Sequence, residues 1–233
     1  LTRQKAERFP PSLSGHTMDF IPSLPVLLAF SAATLLLALT PGPDMTLSIN
    51  KALSEGRAAG LMVLAGTNLG ICVHTMLVAF GVSALIIASP TAFFILKSGG
   101  AAYLLWIAVM AIRKGNNFVL EAEGRPARKR GSLKAAMLNG FWVNLLNPKV
   151  IIFFMTFLPQ FVTPNDPNVT GKLLFLGFTF IVVAILPTIA IVLAAHRLSG
   201  WLAAHKRVLR GIDYLFAGVF SLFAVKILLT HAR

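Results

Sequence analysis

The sequence predicts an all-α membrane protein: six transmembrane helices arranged as two inverted three-helix repeats, with the first and fourth helices broken by proline. Three observations carry this. The 233 residues are 56% hydrophobic and only 12% charged, with a mean hydropathy of +0.77, whereas a soluble domain has about twice that charged share. The basic residues gather between apolar runs. Short motifs also recur at a constant offset in the two halves of the chain.

The apolar runs cover 24–49, 58–87, 92–112, 135–161, 173–195 and 212–230. Each reaches the ~20 residues that cross a bilayer at about 1.5 Å per residue. The second is long enough to need tilt or a protruding end. Residues 1–17 are polar, carry Arg3, Lys5 and Arg8, and precede Met18. They read as an extension upstream of a start at Met18. A signal peptide is the competing reading, but no small-residue cleavage site follows and Pro41 comes too soon, so no cleavage is expected. Residues 18–233 form a single six-helix domain, with repeat one at about 20–113 and repeat two at about 134–230.

A net charge of +13 would suggest nucleic acid in a soluble protein. Here no nucleic-acid-binding pattern accompanies it, and topology explains it instead. The connections after helices one, three and five hold thirteen basic residues, among them Arg113, Lys114, Arg125, Arg128, Lys129 and Arg130. Those after helices two and four hold only Lys97 and Lys172. The positive-inside rule places the odd loops in the cytoplasm and both termini outside. The basic tail from Arg3 to Arg8 dissents, and a start at Met18 would remove that conflict.

The repeat supports the same layout. Gly60-x5-Gly66 recurs as Gly171-x5-Gly177, and Gly100-x-x-Tyr103-Leu104 as Gly211-x-x-Tyr214-Leu215, both 111 residues on. Leu39-Thr40-Pro41 and Leu146-Asn147-Pro148 are 107 apart, so the two proline breaks occupy corresponding places. With three crossings per unit, the second copy enters from the opposite side, an arrangement typical of secondary transporters.

The breaks are where chemistry is expected. At Thr40-Pro41-Gly42-Pro43-Asp44, two prolines remove backbone donors inside an apolar run and free polar groups. Pro43 suits the first turn of a new half-helix, whose unpaired N–H groups attract an anion such as a substrate carboxylate. Asp44 would then complement a substrate ammonium or bind a proton. The plain alternative is a helix end turning into the loop. At Asn147-Pro148-Lys149 the second break carries a cation, and an intramembrane ammonium is costly unless paired or watered. Its plain alternatives are a structural ion pair with Asp44, or snorkelling. Corresponding breaks of an inverted repeat meet at the midplane, so Asp44 and Lys149 are expected to approach each other there.

On the second helix, Thr67, Asn68 and His74 lie near Gly66 and Gly70. The glycines read as close helix packing, Asn68 as a substrate contact, and His74 as either a proton relay or a satisfied core histidine. Asp213 and Lys226 fall near opposite ends of the last helix, with Lys226 snorkelling. Cys72 is the only cysteine, so neither a disulfide nor a Cys-based metal site forms within one chain. No metal and no cofactor are expected. His-Glu-x-x-His, Gly-x-Ser-x-Gly and Walker patterns are absent, which leaves hydrolysis and ATP drive unsupported and makes an ion gradient the energy source. A solute channel and an intramembrane enzyme are the competing classes; the first needs a continuous polar pore and the second a catalytic set.

Taken together, Thr40-Pro41-Gly42-Pro43-Asp44, Gly60, Gly66-Thr67-Asn68-Leu69-Gly70, Gly99-Gly100-Ala101-Ala102-Tyr103-Leu104-Leu105-Trp106, Asn147-Pro148-Lys149 with Phe153-Phe154, and Leu158-Pro159-Gln160-Phe161 resemble the LysE/RhtB family of bacterial amino-acid export permeases. The likeness is strongest to the homoserine/threonine-exporter branch and runs from about Met18 to the C-terminus. Ala108 departs from the glycine usual after Tyr-Leu-x-Trp, and the leader before Met18 departs as well. The resemblance implies efflux of small amino acids or their derivatives, of the homoserine, threonine or lysine kind, across the bacterial inner membrane by proton antiport. Partners are then the amino acid, protons and the lipid bilayer, with a homodimer left open. Asp44 is the preferred coupling residue because it sits at the break itself; His74 is the second candidate, and sodium coupling the alternative.

Overall fold

In a computed structural model, every regular element among the described residues is helical; these residues are 20–114, 131–195, 197, 201 and 205–230. Helix α1 (Leu24–Leu39) has proline in its first turn and stops at Thr40. Thr40 must be extended because a proline follows it, and it is, at φ −73° and ψ 118°. Its hydroxyl and its N–H both donate to the Leu36 carbonyl, at 2.6 and 2.9 Å. Helix α2 (Pro43–Glu55) restarts with Pro43 leading and Asp44 in its first turn, as the sequence predicts. The two axes are bent by 52°.

Gly56, at φ 100°, joins α2 to α3 (Arg57–Ala88) in a conformation that favours glycine. Ser89 then leads into α4 (Pro90–Lys114), its Oγ accepting the Ala92 N–H at 3.1 Å. The second half repeats the pattern. Helices α5 (Leu133–Leu145) and α6 (Pro148–Phe157) flank the second proline break, and α6 runs into a 3-10 turn, Leu158–Phe161. This pair is bent by 53°. Helix α7 (Val169–Leu193) starts at Asn168, whose side chain accepts the Gly171 N–H at 2.8 Å. Helix α8 (Lys206–Thr230) closes the described chain.

Among the described residues, α3 and α7 are each long and apolar enough to cross a membrane, and the spans number four if each bent pair is one. At 32 residues α3 is about 48 Å long, well over the ~30 Å hydrocarbon thickness. Large apolar side chains such as Leu77, Phe80, Ile87, Val182 and Leu186 are exposed on these helices, where lipid removes the cost that water would impose. The tail 1–17, Met18, the basic connection 115–130 and the side chains of Ala108, Asp213 and Lys226 lie outside the described residues.

Packing is closest where the halves interleave. Helix α3 lies most extensively against α5, and glycines set that approach. A Cβ at Gly66 would collide with the Met137 backbone carbonyl, and one at Gly140 with the Val63 carbonyl, so small residues bring the two backbones together as membrane helices require. Gly177 of α7 admits Thr75 of α3 in the same way. Beside this crossing, Phe30 of α1, Phe153, Phe154 and Phe157 of α6, and Phe180 of α7 are buried. Their rings sit 4.7–6.1 Å apart, stacked, tilted or edge-on. That aromatic core fixes α6 between α1 and α7, and so fixes the second break beside the first.

Candidate functional site

A cavity of about 90 Å³ lies between the two breaks. Such a volume holds several waters or a solute of a few heavy atoms. Thr40, Gly42 and Asp44 line it from the first break, Asn147 and Lys149 from the second, and Thr67 and Asn68 from α3. Pro41, Pro43 and Pro148 shape the backbone at its rim but do not line it, and neither does His74. Most of the wall is apolar, with Leu64, Ile71, Val150, Phe180, Ala184 and Val192 contributing.

Proline chemistry explains the polar end. In an unbroken helix the N–H of residue 41 would bond the Leu37 carbonyl, but Pro41 has none. That carbonyl is instead taken by the Lys149 ammonium at 3.1 Å, and the same ammonium reaches the Thr40 carbonyl at 2.8 Å. Lys149 therefore caps the C-terminal end of α1. A cation suits that end because the helix dipole is negative there. It also sits in the first turn of α6, the wrong end of its own helix, and the borrowed carbonyls offset that. The Asn147 side chain accepts the Lys149 backbone N–H at 3.0 Å and caps α6.

Asp44 is half-buried in the first turn of α2, where the dipole favours an anion. One of its oxygens, Oδ2, accepts from Asn144 Nδ2 at 2.7 Å. The other, Oδ1, is buried with no hydrogen-bond partner. The Asn147 side chain lies against the carboxyl as a second, looser polar contact, and Lys149 and His74 lie within electrostatic reach of it. The structure thus brings Asp44 and Lys149 to one cavity, with Asn144 as the direct partner of the carboxylate and main-chain carbonyls as direct partners of the ammonium.

Asn144 is the residue that sequence reasoning missed. It is fully buried, and the available signal was an amide inside an apolar run, three residues before the second break. Ser48 and Thr188 also line the cavity; Thr188 spends its hydroxyl on the Ala184 and Ile185 carbonyls at 2.7 and 3.0 Å. Thr67 Oγ1 and Asn144 Oδ1, like Asp44 Oδ1, are buried without a partner. Buried polar atoms are ordinarily satisfied, so open oxygens on residues that line one cavity leave capacity for something else to bind, although Asn144 Oδ1 itself packs against Gly70. A carboxylate, an ammonium and open oxygens at one end of an apolar chamber match a small zwitterion with an apolar body.

Comparison with known proteins agrees with a membrane carrier. The profile of the LysE type translocator family matches residues 35–231. The chain is 31% identical over 205 residues to the homoserine/homoserine lactone efflux protein of Salmonella typhimurium, covering 88% of this chain and 96% of that protein. It is 28% identical to an uncharacterized membrane protein of Vibrio cholerae, over 84% and 92% of the two chains. It is 25% identical to the leucine efflux protein of Klebsiella pneumoniae, over 86% and 93%. No solved structure matches.

Proposed function

The chain belongs to the LysE type translocator family, and on that premise we propose that it is a secondary-active exporter of small amino acids or their derivatives, driven by proton antiport. The observation that carries this is the cavity between the breaks, with an anion and a cation at one end and an apolar wall beyond. The α-ammonium of the substrate goes to the open oxygen of Asp44, and its carboxylate to the Lys149 side and the first-turn amides of α2, since Asn147 already takes those of α6. Two relatives are named for efflux of homoserine or its lactone and of leucine, and this cavity suits the α-amino-acid core that homoserine and leucine share.

Counterflow in proteoliposomes tests the reading. Saturable exchange of labelled amino acid is expected; an ohmic current would make the protein a channel, and product formation an enzyme. Proton coupling is checked in the same vesicles by collapsing the pH gradient, with and without sodium. Export should fall to the exchange background when the gradient is lost, and unchanged rates would sink proton antiport.

Six spans in two inverted repeats are the architecture we propose around this site. Support comes from the two bends of 52° and 53° at corresponding prolines. Helix pairing supports it too: α3 meets both α5 and α6, and its counterpart α7 meets both α1 and α2. With both termini outside the inner membrane, Glu123→Cys should resist an impermeant thiol reagent in intact cells and Asn165→Cys should react, in a Cys72→Ala background. The opposite pattern would invert the topology.

A further inference from the structure

We infer that His74 is a positioning residue: its Nε2–H holds the Asn144 carbonyl that Pro148 leaves without a helical donor, and thereby aims the Asn144 amide at Asp44. Asn144 stands four residues before Pro148, so the N–H that would normally bond its carbonyl does not exist. Part of that oxygen's capacity is met by the Asn147 N–H, in a tight turn of 2.9 Å. The rest faces α3, where His74 Nε2 lies 3.4 Å away. An acceptor at that position selects the tautomer with its proton on Nε2.

Two further observations fit a residue that holds rather than relays. His74 is buried, with its ring 5.8 Å from that of Phe154, and it does not line the cavity. One turn earlier on α3, Gly70 leaves the space that the Asn144 side chain occupies; a Cβ there would overlap Asn144 Oδ1. Helix α3 therefore grips Asn144 at both ends, admitting its amide at Gly70 and holding its carbonyl at His74. The amide then reaches Asp44 at 2.7 Å.

The first break has the same solution. Leu37 stands four residues before Pro41, in the place corresponding to Asn144, and its opened carbonyl is taken by Lys149 from the other half of the chain. Each proline break is thus closed by a side-chain donor from the opposite half. This inference bears on transport only through the exporter reading, but its first test needs no substrate.

Melting of the purified full-length chain in detergent is measured for a cycle of variants. His74→Leu should lower the midpoint by about 3–8 °C, the scale of one lost buried hydrogen bond in a chain of this size. His74→Gln, which keeps a donor, should recover more than half of that. In a Pro148→Ala background the backbone N–H is restored, and His74→Leu should then cost less than half as much. An equal cost in both backgrounds overturns the proposal. If His74→Leu fails to accumulate in the membrane, Pro148→Ala should restore accumulation, and failure to do so overturns it equally. In proteoliposomes His74→Leu should raise the KM for export about fivefold or more, with His74→Gln within about twofold of the parent and still proton-driven. Loss of proton-driven export in a His74→Gln protein that melts normally would make His74 a relay and end this assignment.

Discussion

Asp44→Asn is expected to lower the initial rate of export about 100-fold or more while the protein still inserts and melts near the parent temperature. The substitution keeps the shape of the side chain, and the new amide oxygen still accepts from Asn144, so the wall between α2 and α5 stays closed. What disappears is the charge on a buried oxygen that has no protein partner. A charge-assisted hydrogen bond to a substrate ammonium is worth about 1.5–3 kcal/mol, and a charge pair near 4 Å in a partly polar site adds to it. Together these reach the ~3 kcal/mol that corresponds to two orders of magnitude in rate. Radiolabelled efflux from preloaded vesicles is the measurement, with the amount of inserted protein quantified alongside. Export within about threefold of the parent would remove Asp44 from the site.

Lys149→Ala is expected to fail differently, losing export and stability together. Its ammonium holds the Leu37 and Thr40 carbonyls, and removing it leaves both short of a donor and takes the second break's cation away from the half-buried Asp44 carboxyl. Losing two hydrogen bonds from a charged donor costs about 3–5 kcal/mol. In a chain of this size that is a fall of roughly 6–15 °C in melting midpoint. Lys149→Arg keeps the cation and should recover much of the stability, though its planar fork is a poor match for two carbonyls that diverge from one ammonium. A Lys149→Ala protein that melts normally would show that the α1 end is satisfied in some other way.

The contrast between these two variants tracks what could and could not be read from the chain. Pro41, Pro43 and Pro148 announce their breaks because a missing N–H acts locally, and the structure starts α2 and α6 at Pro43 and Pro148. Gly66 reads as a packing residue for the same local reason, since a glycine in an apolar helix has little else to offer. Partner choice was harder. The charges of Asp44 and Lys149 are plain in the sequence, but some of the groups they hold are not: an amide 100 positions away, and carbonyls 112 and 109 positions away. Main-chain carbonyls carry no letter in the sequence. Which of them is opened becomes visible only by counting four residues back from each proline, and which side chain reaches it depends on the α3–α5 and α1–α7 crossings. His74 shows the same gap: its letter suggests titration, and nothing in the sequence shows the backbone oxygen and phenyl ring it meets, or that Asp44 lies within electrostatic reach.

The interleaving of helices has a consequence for how the chain is made. During synthesis α1, α2 and α3 emerge first, carrying Asp44 and the glycine face of α3, but the surfaces that cover them belong to α5, α6 and α7. Until residue 144 has left the ribosome, the carboxylate has no amide; until residue 149 follows, the end of α1 has no cap. The nascent first half must therefore wait in the bilayer with an open carbonyl and a bare carboxyl. A chain interrupted anywhere before α6 would present the membrane's quality-control proteases with that unfinished polar edge.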